Sequence, residues 1–71
     1  MIEKIEIKII TEYIKLDQLL KFSGACAIGS EAKSIVAGGN VKLNGEVCLM
    51  RGKKIRGGDI VSVENMQIIV S

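Results

Sequence analysis

Val41-Lys42-Leu43-Asn44-Gly45-Glu46-Val47-Cys48 places Asn-Gly between two alternating segments. A type I′ turn needs positive φ at both central residues, and Asn followed by Gly supplies it at little steric cost, so the stretch reads as a β-hairpin. Upstream of it the period changes. Leu16, Leu19, Leu20 and Ser23 recur at helical spacing after Lys15, and Gly24 is placed to end that helix in a left-handed cap. Ser30 offers an N-cap hydroxyl, Glu31 suits the positive end of a helix dipole, and Ala32, Ile35 and Val36 continue a second short helix that Gly38-Gly39 stops. The two helices form an αα-hairpin that leaves Lys15, Lys21 and Lys33 facing solvent.

Further from the hairpin the pattern is β on both sides. Ile5, Ile7 and Ile9 alternate with Lys4, Glu6 and Lys8, which predicts a half-buried strand over about residues 4–10. Downstream, a basic stretch from Arg51 to Arg56 runs into the turn residues Gly57-Gly58-Asp59. Ile60–Val63 and Met66–Val70 then read as two β-branched strands reversed at Glu64-Asn65.

The chain has 71 residues, 48% of them hydrophobic. That length predicts one domain over residues 1–71, which buries only about 60% of its unfolded surface and has no room for a deep catalytic cleft. There is no His, so a His-assisted nucleophile or a His-ligated metal is excluded. Cys26 and Cys48 cannot complete a four-ligand zinc site, and both lie among apolar neighbours, which predicts free, buried thiols. The charged N-terminus is unlike a signal peptide, and the longest uncharged stretch, Phe22 to Ser30, is far short of the roughly 20 residues a membrane-spanning helix needs. A cytoplasmic location is the expectation.

No phosphate-binding loop of the nucleotide-hydrolase type is present, and the acids are scattered rather than paired. The expectation is a non-enzyme without cofactor or metal. Charge is the remaining signal. Between Lys15 and Arg56 eight Lys and Arg face three acids, a local balance of 8 − 3 = +5 in a chain whose formal net charge is +2. Such cations neutralise phosphates whatever the base sequence. Tyr13 and Phe22 are the only aromatic residues, a thin supply for stacking successive bases of a single strand. Folded RNA, read through backbone shape and 2′-hydroxyls, is the better match.

Four segments carry a resemblance to a known family: Lys15-Leu16-Asp17-Gln18-Leu19-Leu20-Lys21-Phe22-Ser23-Gly24, Ser30-Glu31-Ala32-Lys33, Gly39-Asn40-Val41-Lys42-Leu43-Asn44-Gly45 and Gly58-Asp59-Ile60. In this order they resemble the RNA-binding domain named after ribosomal small-subunit protein S-four, from about residue 15 to 63, and within it small bacterial proteins made of this domain alone. The resemblance implies an α+β fold in which a two-helix hairpin packs on a small, curved antiparallel sheet, the alpha-L motif. It also implies contact with structured RNA, ribosomal or transfer RNA, in a ribonucleoprotein setting.

By this resemblance Lys15, Lys33 and Lys42 are the leading contact residues, joined by Lys21 and by Asn44 in the turn. The family commonly carries Ser-Arg before the second helix where this chain has Ile28-Gly29, and an Arg where it has Ser34. Arg51, Lys53, Lys54 and Arg56 are expected to supply the missing phosphate contacts. The competing reading is a protein-interaction module that docks on an acidic partner or pairs through its last strand, Met66–Val70, as an exposed sheet edge.

Overall fold

Which face of each strand is buried follows from its alternation. A computed structural model describes residues 2–71, and Met1 lies outside them. The elements are β1 (Glu3–Ile7), β2 (Ile14–Lys15), α1 (Leu16–Phe22), α2 (Gly29–Ala37), β3 (Val41–Leu43), β4 (Glu46–Val47), β5 (Lys54–Ile55), β6 (Ile60–Val63) and β7 (Met66–Val70). Ile7, Val41, Val61, Val63, Ile68 and Val70 turn inward from the five-stranded sheet. They share one cluster with Leu16, Leu19 and Leu20 of α1, Ala32 and Val36 of α2, and Ile55 of β5. No polar or charged side chain is buried among the described residues, so the core is held by apolar burial and the backbone ladders alone.

The sheet order is β1-β7-β6-β3-β4, with β2 and β5 forming a separate two-stranded ladder. The β3–β4, β3–β6 and β6–β7 pairs are antiparallel, but β1 runs parallel to β7. The fold is therefore α+β with a mixed sheet, not the antiparallel sheet expected. Alternation specifies the face that a strand buries, and a parallel register setting Ile5 beside Ile68 and Ile7 beside Val70 buries that face as well as an antiparallel one. The β1 ladder ends at Ile7 because β7 runs out at Val70; beyond it the Ile9 amide still donates to the Ser71 carbonyl, at 2.9 Å. β7 lies between β1 and β6, so its backbone is occupied on both sides. This overturns the expectation that Met66–Val70 is an open edge: the edges are β1 and β4.

The cap expectations met different outcomes. Gly24 and Gly39 are left-handed, with φ of 85° and 74°, and end the two helices as read. The second helix starts one residue before Ser30, with Ile28 as an extended N-cap that makes no side-chain capping bond. Cys26 is buried, whereas Cys48 is only half-buried, and both thiols are free.

Candidate nucleic-acid interface

Ile14-Lys15 and Lys54-Ile55 are mirror-image dipeptides, and as an antiparallel pair they set Ile14 opposite Ile55 and Lys15 opposite Lys54. Ile55 is fully buried, and strand alternation then turns Lys54 outward. Past the ladder the contact continues into the helix. The Leu16 amide donates to the Lys53 carbonyl and the Asp17 amide to the Arg51 carbonyl, each at 2.9 Å. The first amides of α1 are thus satisfied by the basic loop, and the helix start and the loop form one unit.

That unit gathers four exposed cations, Lys15, Arg51, Lys53 and Lys54, from two distant segments. Lys54 Nζ lies 4.9 Å from the centroid of the Tyr13 ring, an attraction that steadies the ammonium without neutralising it. The nearest acid in sequence, Asp17, turns its Oδ1 to the Gln18 amide at 2.8 Å. Among the described residues no Lys or Arg side chain donates a hydrogen bond to a protein acceptor. Like charges opposite each other in a ladder destabilise it, so Lys15 facing Lys54 is a placement that folding does not favour and that a bound anion would relieve.

The other expected contact residues are distributed differently. Lys21 and Lys33 are exposed on α1 and α2. Lys21 and Glu31 both act on the Cys26 thiol: burial raises its pKa most, Glu31 adds to the rise, and Lys21 opposes it. Lys42 sits between inward-facing Val41 and Leu43 and pairs with Ser62 and Val47, so it projects from the sheet face away from the core, outside the loop cluster. Asn44 is occupied by the fold. Its Oδ1 accepts from the Ile60 amide at 2.9 Å, its Nδ2 donates to Asp59 Oδ1 at 3.2 Å, and its own amide donates to the Ile60 carbonyl at 2.8 Å.

Sequence reading missed Tyr13 as a support for Lys54, because a two-residue strand carries no periodicity; the mirrored dipeptides were the available signal. Among the described residues no cluster of side chains suits a metal ion, and no helix is long and apolar enough to cross a membrane.

These features define a small α+β module with a cationic ladder and loop at the start of its first helix. A sequence model of the S4 domain matches residues 7–71, and the chain belongs to the S4 domain family, whose members in general bind RNA. No curated protein matches the chain.

Proposed function

We propose that the chain binds structured RNA, ribosomal or transfer RNA, through phosphate and sugar contacts, without catalysing a reaction and without a cofactor. The observation that carries this reading is Lys15 opposite Lys54, flanked by Arg51 and Lys53, none of whose side chains donates a hydrogen bond to a carboxylate among the described residues. A phosphate between two such cations relieves their repulsion and releases condensed counterions, which makes affinity fall with salt. Base readout is weak in this mode because phosphates carry no sequence information. Lys21, Lys33 and Lys42 extend the positive surface, and Asn44 serves by holding the turn.

The test is a salt titration of binding to transfer RNA and to a ribosomal RNA stem-loop by the wild type, Lys15→Gln and Lys53→Gln. Each substitution is expected to reduce the magnitude of the slope of log K against log salt by about 0.7 to 0.9. A binding constant indifferent to salt, or slopes unchanged by both substitutions, overturns the reading.

A further inference from the structure

Phe22 is 72% exposed and belongs neither to the core nor to the partly buried residues packed against it. Folding gives no account of a large aromatic ring in that position, because leaving it in water forgoes the stabilisation its burial would bring. Its neighbours supply one. Helical spacing places Gln18 and Phe22, four residues apart, along one side of α1, and Lys15, the extended residue that caps the helix, precedes them at its start. Lys21 borders the same strip, since it stands three residues from Gln18. These four are exposed, while the rest of α1 is buried or half-buried. The strip starts at the cationic ladder and reaches Phe22 about 10 Å further along the helix axis, at about 1.5 Å per residue.

We infer that Phe22 is a stacking platform for an unpaired nucleobase next to the RNA backbone held at Lys15. The inference rests on the RNA-binding reading above and narrows its substrate class to structured RNA carrying a bulged or looped-out nucleotide. The strip has the composition this task needs: ammonium groups for phosphates, an amide for a base edge or ribose, and a ring whose face accepts any base. The ring is also presented on a fixed backbone. Immediately after it the Ser23 amide donates to the Leu19 carbonyl at 2.9 Å, the Ala25 amide donates to the Leu20 carbonyl at 3.0 Å, and Gly24 takes φ 85°. With that backbone fixed, only the two side-chain torsions remain to be ordered when a base stacks. Scarcity of aromatic residues excludes a row of stacked bases but leaves room for one.

The probes are a fully paired RNA duplex and the same duplex carrying one bulged 2-aminopurine. The wild type is expected to bind the bulged duplex more tightly, roughly 5- to 150-fold as one stacked base allows, and to change the probe's fluorescence. Phe22→Ala is expected to abolish that preference and the fluorescence change while leaving affinity for the paired duplex and its salt slope intact; Phe22→Tyr restores both and Phe22→Leu does not. A bulge preference that survives in Phe22→Ala overturns the inference, as does an equal loss on both RNAs. If Phe22→Ala leaves both RNAs unaffected but suppresses self-association in sedimentation, the ring is a protein contact and the inference fails. If the wild type binds neither RNA, the RNA-binding reading itself fails, which is distinct from salt-dependent duplex binding without a bulge preference.

Discussion

Asn44 holds φ at 51° and Gly45 at 89°, the turn that Asn-Gly announced. The amide side chain does more than permit that turn. It ties β3 to the Asp59-Ile60 segment, 15 and 16 residues further along the chain, and no local pattern carries that information. Asn44→Ala is therefore expected to lower unfolding free energy by about 1 to 3 kcal/mol, from the unpaired Ile60 amide and a left-handed Ala. Urea denaturation reads the loss, and RNA affinity measured on the folded fraction should stay near wild type. Cys26 makes a pH-dependent contribution of known sign. Its thiol titrates higher in the fold, chiefly through burial, with Glu31 adding and Lys21 opposing. Below the ordinary thiol value both states are protonated and the contribution is fully present. As pH rises through that value toward the raised one, the unfolded chain ionises first and stability is lost. Between neutral pH and about pH 10, the urea midpoint of Cys26→Ala should fall less than that of the wild type; equal falls would show that the thiol plays no part.

At the scale of elements, the helices and the β6–β7 pair were legible because each has its own period and its own stop residue. The β2–β5 ladder was not, since two residues cannot display a period and its partners lie 39 and 41 positions apart in sequence. The parallel placement of β1 was equally hidden, because Ile5 and Ile7 declare a face but not a neighbour. The start of α2 was misplaced because the expected hydroxyl cap at Ser30 falls inside the first turn. That helix has no side-chain cap at Ile28. Ile28 is already extended, with φ −134° and ψ 160°, and is 56% exposed. Ile28→Ser is thus expected to add about 0.5 to 2 kcal/mol by accepting a hydrogen bond from a first-turn amide, seen as a Tm higher by several degrees. The ladder yields a trade-off of opposite kind. Lys15→Gln removes a like-charge opposition, so its urea midpoint should rise while its RNA affinity falls. A loss of both stability and binding would mean that Lys15 supports the fold rather than the ligand.

Over the whole molecule, the distribution of charge outweighs its sum. Glu64 shares one hollow with Glu3 and another with Glu31, so these three acids gather around the β6–β7 turn, while the four cations of the ladder and loop gather at the start of α1 with Glu46 lining the hollow beside Lys53. The principal extents are 27 × 27 × 22 Å, against a screening length of about 8 Å at physiological ionic strength. A phosphate at the loop therefore interacts most strongly with Lys53 and its ladder neighbours, and less with Lys42, which projects from the other face of the sheet. This separates two residues that charge counting treats alike. At physiological salt Lys53→Glu should weaken RNA binding far more than Lys42→Glu, although each changes net charge by the same amount. At about 0.01 M salt the screening length grows to about 30 Å and spans the molecule, so the two variants should converge toward similar losses. Filter-binding titrations of both variants at the two ionic strengths measure the gap. A gap of constant size would place the RNA contact elsewhere than the ladder and loop, because only a local site makes the difference between these two lysines depend on screening.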